Sequence, residues 1–281
     1  MKQRWLVVAI GLPLLLLVLL ACPAWATMLL VCGIAGIAAY ELLHTAGKSV
    51  HAVLYGLTAA AAALQVAAIY SDKAAEQMWA NPVSMTVLVR WAFIMALFLL
   101  AVVGYGREGR EVPFHDVCVC IVGGLVFPSL YACIALLRAE PDFGRIHVLA
   151  PFCVAFAGDA LSMYFGMWFG KRKMAPHVSP HKTWAGAVGG PIGSALAMAL
   201  LGLVGQKWLG YAPNYAALAL TGAAANVFGQ LGDLSMSLIK REAGIKDYSR
   251  LFLTHGGMLD RFDSSMFIAP VVYFFVMCGV I

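Results

Sequence analysis

Asp260 and Asp263 flank Arg261 in the stretch THGGMLDRFDSS, directly after His255 and the pair Gly256-Gly257. On a helix, carboxylates three positions apart share a face. The glycines allow a tight turn before such a helix, and a free helix N-terminus attracts anions. Asp159 and Asp233 stand inside apolar runs. There a charge costs on the order of 2.5–3.5 kcal/mol near a bilayer centre, so each needs partners. Two basic stretches accompany these acids: GKRKMAPHVSPHKTWAG (170–186) and KREAGIKDYSR (240–250). Carboxylates alone suggest a cation, and basic groups alone suggest phosphate. Both together point to a divalent metal bridging to phosphates, with Mg2+ preferred because it takes a few carboxylates plus substrate oxygens.

The spacing around these residues predicts what positions them. Asn226, Gln230, Asp233, Ser237 and Lys240 recur at helical steps and form one polar stripe. Lipid cannot face such a stripe, so it turns to the bundle interior or a wet cavity. Asp159, Ser162, Gly166 and Gly170 likewise share a face, with glycines that let another backbone approach closely. That face leads into the first basic stretch, where Lys171, Arg172, Lys173, Lys182 and two histidines make an anion site.

The elements carrying these residues are membrane helices. Of 281 residues, 62% are hydrophobic and 12% charged, and the mean hydropathy is +0.84. No soluble fold hides that much apolar surface. The runs are long and uninterrupted, which predicts an all-α polytopic bundle and not a barrel. Nine runs are read, at about 5–21, 24–43, 51–70, 84–104, 115–137, 147–170, 184–205, 214–238 and 265–281. With the N-terminus inside, fourteen of the 19 Lys and Arg residues fall on the cytoplasmic side and four outside, which supports an N-in, C-out topology. Arg90 lies within a run and is expected to snorkel toward the outer surface. The opening MKQRW, an apolar stretch and AWA at 24–26 have the form of a cleavable secretory signal; an uncleaved first span is expected instead. The seven cysteines lack metal-site pairing and read as small apolar packing residues. Residues 1–146 are expected to be scaffold helices, and 147–281 to carry the site.

The stretch SLIKREAGIKDYSRLFLTHGGMLDRFDS resembles the signature of the phosphatidate cytidylyltransferase (CDP-diacylglycerol synthase) family. The matching residues are Ser237, Lys240-Arg241, Lys246-Asp247, His255-Gly256-Gly257, Asp260-Arg261 and Asp263, with Gly232-Asp233-Leu234 before them. Upstream, Ser179, Pro180, Lys182, Thr183 and Trp184 match a second family element. The likeness covers roughly residues 155–270, and the first five runs match only in hydrophobicity. The chain departs from the family pattern at Leu253-Thr254, Ala185 and residues 160–163.

The resemblance implies transfer of the cytidylyl group of CTP to phosphatidic acid, giving CDP-diacylglycerol and pyrophosphate, in phospholipid biosynthesis. It implies Asp233 and Asp260 as principal Mg2+ ligands, with Asp159 and Asp263 as further ligands and room for a second metal ion. Lys182, Ser179 and Thr183 would hold phosphates. Lys240, Arg241, Lys246 and Arg261 would steady the triphosphate or lipid headgroup, beside Ser237, Asp247, Gly256 and Gly257. His255 would orient substrate and not act as a base. The expected setting is a bacterial-type inner membrane with the site facing the cytoplasm. The bilayer is a partner, nucleic acid is not, and a homodimer is one arrangement left open. The alternatives are a divergent paralogue acting on another lipid phosphate, and a cation-coupled transporter. Against the transporter, the carboxylates travel with basic loops and no inverted repeat is visible. The clustered aspartate motif of CDP-alcohol phosphotransferases and the P-loop motif are both missing from the sequence.

Overall fold

The computed structural model describes residues 9, 11–48, 51–76, 84–107, 109–252 and 256–281. Among these, nine helices follow the nine apolar runs: α1 Gly11–Ala21, α2 Ala24–Ala46, α3 Ala52–Glu76, α4 Met85–Gly104, α5 Phe114–Ala139, α6 Gly144–Phe169, α7 Trp184–Leu209, α8 Tyr215–Glu242 and α9 Leu259–Met277. Helices α2 to α7 are each long and apolar enough to cross a membrane, and α1 is a shorter apolar helix. Helices α8 and α9 are long but carry the charged residues of the signature. The protein is an all-α, multi-pass membrane protein. A two-stranded antiparallel hairpin, β1 Lys173–Ala175 and β2 Ser179–Thr183, pairs Lys173 with Thr183 and Ala175 with Ser179. Its proline and basic residues read as a loop in sequence, and the chain pairs here instead.

The chain forms two compact units, Met1–Leu136 with Ala243–Arg261, and Leu137–Glu242 with Phe262–Ile281. The core of the first holds Leu43, Leu54, Phe93, Leu97 and Val117. Its helix ends are tied by polar side chains. Asp72 of α3 accepts from Ser84 Oγ at 2.7 Å, and from the backbone N–H groups of Met85 at 2.7 Å and Thr86 at 3.0 Å, which caps α4. Arg90 is exposed on α4 and finds a polar partner on α3. Its Nε and Nη2 donate to the amide oxygen of the fully buried Gln65, at 2.9 and 3.0 Å with that oxygen turned toward the guanidinium. A buried amide and an intramembrane cation satisfy each other better than lipid satisfies either.

The core of the second unit holds Leu137, Ile146, Val154, Met198, Leu218, Ile268 and Val272. Here α6, α7 and α8 approach through glycines. A Cβ on Gly222 would lie 2.6 Å from the carbonyl oxygen of Ser194, and one on Gly193 would lie 2.6 Å from that of Ala157. Neither backbone atom can step aside, so these positions require hydrogen at Cα. Ser194 is fully buried and donates to Val154 O at 2.8 Å, which bonds α7 to α6 within the apolar core. The seven cysteines are all free thiols.

Candidate active site

The second unit presents a cavity of about 450 Å³ lined by α6, the hairpin, α7 and α8. Asp159, Ser162, Gly166 and Gly170 all line it, so the face predicted for the sixth run is the wall of this space. Met163, Met167 and Met174 add an apolar side, and Lys173, His181 and Lys182 a basic one.

The polar stripe on α8 turns inward, as its spacing requires. Gln230 Nε2 donates to Asn226 Oδ1 at 2.7 Å and to Ala187 O on α7 at 3.2 Å. Glycines make room for this pair. A Cβ on Gly158 would fall 1.9 Å from Asn226 Nδ2, and one on Gly190 about 2.5 Å from Asn226 Oδ1 and 2.6 Å from both Gln230 Nε2 and Ser162 Oγ. One helical step along, Ser237 donates to Asp233 Oδ1 at 3.4 Å. Asp233 Oδ2 meets Lys182 Nζ from the end of the hairpin at 2.5 Å. Lys240, only 9% exposed, completes the stripe.

Charge concentrates here. Asp159 lies in the field of Asp233 and Lys182, and Asp263 in that of Asp233, Asp159 and Lys240. Three carboxylates from three helices thus share one electrostatic neighbourhood with two ammonium groups. Among the described residues no three His, Cys, Asp or Glu side chains gather closely enough to hold an ion by themselves. Lys182 occupies one oxygen of Asp233, where a cation would otherwise sit. The donor set still fits Mg2+, which is bound by one or two carboxylates, water and phosphate oxygens and not by an all-protein cage.

The remaining expected ligands of phosphate divide. Thr183 is buried, and its Oγ accepts from Gly186 N at 3.1 Å, capping α7. Ser179 opens β2. Arg241, exposed, donates through Nε to Val178 O at 3.3 Å, which ties the end of α8 to the hairpin.

In the first unit, Lys246 and Asp247 are exposed on the loop after α8, as is Arg261 on the first turn of α9. Asp260 Oδ2 accepts from Tyr248 N at 2.8 Å and Gly257 N at 2.9 Å. The expectation of a free, anion-binding N-terminus on α9 is overturned. Met258 N and Leu259 N donate to the two carboxylate oxygens of Glu41, at 3.0 and 2.9 Å, and Gly257 N to Asp260. These are the groups an anion would use. Gly256 turns the chain at φ +80°, and a Cβ on Gly257 would strike the Glu41 carboxylate. The two glycines thus admit a carboxylate of the protein itself. Glu41 was passed over because it sits at the end of an apolar run; an acid with its neighbours Tyr40 and Leu42 on a helix gives no sign of a partner some two hundred residues away. His255 lies outside the described residues.

Residues 2–278 match the sequence pattern of the cytidylyltransferase family. The chain belongs to that family. As a cytidylyltransferase it is a nucleotidyl-transferring enzyme, and its relatives agree. A phosphatidate cytidylyltransferase of Haemophilus influenzae is 38% identical over 196 residues, 64% of this chain and 66% of the relative. One of Staphylococcus haemolyticus is 31% identical over 198 residues, 69% of this chain and 70% of the relative. One of Rickettsia bellii is 28% identical over 195 residues, 68% of this chain and 84% of the relative.

Proposed function

We propose that this cytidylyltransferase joins CTP to phosphatidic acid, giving CDP-diacylglycerol and pyrophosphate. The observation that carries the reading is the ion pair of Lys182 with Asp233 beside a cavity lined by Asp159 and a basic hairpin, in a chain whose relatives bear that activity in their names. An oxygen of the phosphatidate phosphate attacks the α-phosphorus of CTP. The bond from that phosphorus to the bridging oxygen breaks, and pyrophosphate leaves with the electron pair. The nucleophile is already ionised, so no base is needed. The task is to bring two anions together and offset their repulsion.

Lys182 and Ser179 on the hairpin hold the phosphates of CTP, with Thr183 supporting them from the cap of α7. When phosphate arrives, Lys182 can leave Asp233 for it, and the freed carboxylate would be available to a cation. Asp233 would hold Mg2+ together with water and phosphate oxygens, with Asp159 and Asp263 close by and Asp260 proposed as a ligand as well; the ion would supply charge neutralisation for the leaving pyrophosphate. Lys240, Arg241, Lys246 and Arg261 balance the remaining phosphate charge, and His255 orients a substrate. The membrane is proposed to be a bacterial inner membrane, with the site on its cytoplasmic side, where CTP comes from water and phosphatidate from the inner leaflet.

The test is formation of CDP-lipid from labelled CTP by the purified protein, with and without phosphatidic acid and Mg2+. Product that requires all three supports the reading. Turnover with another lipid phosphate but not with phosphatidic acid would redirect it to a paralogous substrate.

A further inference from the structure

Glu41 is an acid inside α2, 3% exposed, in the part of the chain whose sequence matches the family signature least. Its carboxylate accepts three hydrogen bonds. Oε1 accepts from Ser249 Oγ at 2.6 Å and Met258 N at 3.0 Å, and Oε2 from Leu259 N at 2.9 Å. These donors bracket the signature loop: Ser249 lies near its start, and Met258 and Leu259 at the entry to α9. Asp260 follows directly, and its own Oδ2 closes the same loop on Tyr248 and Gly257. Ser249 Oγ also accepts from Leu251 N at 3.2 Å, a bond local to the start of the loop.

An acid is placed here at a cost. Taking a carboxylate out of water is expensive unless it is fully hydrogen-bonded, and an apolar side chain would cap nothing but pack as well. The arrangement also requires glycine at 257, since any larger residue would meet the Glu41 oxygens. Glu41 itself is anchored among Ala38, Ala39, Leu42 and Leu43, all buried, so its position is fixed by the packing of α2.

We infer that Glu41 is a positioning residue for the reaction: it fixes the signature loop and the first turn of α9, and with them Asp260 and Arg261. This rests on the reading that the loop serves cytidylyl transfer. It means that the first unit is more than scaffold.

The test compares Glu41→Gln and Glu41→Leu in the full-length protein in detergent. Gln keeps one accepting oxygen but turns an NH2 toward a backbone donor, so it should stand between wild type and Leu. The expected result is a stepwise fall in kcat, about tenfold for Gln and a hundredfold for Leu, with KM for CTP within threefold. Hydrogen exchange should quicken in the peptide spanning 249–262, while the peptides of α6 to α8 keep their wild-type protection. Unchanged kcat, with or without faster loop exchange, overturns the inference. So does faster exchange throughout the chain in both variants, which would make Glu41 a general stabiliser. If the wild type itself forms no CDP-lipid while loop exchange alone quickens in the variants, the functional reading has failed and Glu41's hold on the loop stands.

Discussion

Lys182 and Asp233 should respond unequally to mutation. Their 2.5 Å ion pair is partly open, at 26% and 29% side-chain exposure. Exposed pairs are worth about 0–1 kcal/mol, and breaking a buried one costs about 3–5 kcal/mol, so this pair belongs between, at about 1–3 kcal/mol. The surroundings decide which partner bears that loss. Asp159 and Asp263 share the field of Asp233, and Lys182 and Lys240 are the ammonium groups that oppose them among the described residues. Lys182→Met leaves three carboxylates against one ammonium. Asp233→Asn leaves two against two. Thermal unfolding in detergent should therefore show Lys182→Met destabilised by about 2 kcal/mol and Asp233→Asn changed by less than about 1 kcal/mol. Mg2+ should restore stability to Lys182→Met, since a cation relieves the same repulsion, and should do far less for Asp233→Asn. Both variants should lose turnover, Asp233→Asn by about a hundredfold or more. If Lys182→Met is as stable as wild type while Asp233→Asn melts early, the carboxylates do not share one field and the charge argument is wrong.

Three further outcomes follow from the packing. Gly190→Ala puts a methyl about 2.5 Å from Asn226 Oδ1 and should cost about 1–3 kcal/mol in thermal unfolding, with activity falling alongside; a neutral result would mean that the α7–α8 spacing is loose. Gly257→Ala should reproduce the kinetic defect of Glu41→Gln, and doubling the two should add little, since both disturb the same bonds. Gln65→Leu removes the amide acceptor of the Arg90 guanidinium and should lower stability by about 1–3 kcal/mol while leaving KM for CTP unchanged.

Much of this was legible in the sequence because lipid simplifies the problem. Long apolar runs must be helices, and the stripe from Asn226 to Lys240 had to face inward, as the Gln230 and Asp233 contacts bear out. Asp159, Ser162, Gly166 and Gly170 share a wall because helical spacing leaves no other arrangement. The hairpin was missed because strands of three and five residues carry too few positions for an alternating pattern. The partner of Arg90 could not be read from the sequence because Gln65 belongs to another helix. The capping of α9 was invisible for the same reason: Glu41 and Leu259 are far apart in the chain, and nothing local to either marks the pair.

The central claim is that these acids and bases serve cytidylyl transfer to a lipid phosphate. Its most direct measurement follows purified wild type and Asp233→Asn with phosphatidic acid and labelled CTP, reading CDP-lipid and pyrophosphate together. The account predicts equal amounts of both from wild type, only when Mg2+ is present, and neither from Asp233→Asn at a melting temperature close to that of wild type. Wild-type-like product from Asp233→Asn, or a folded wild type that leaves CTP intact, would contradict it.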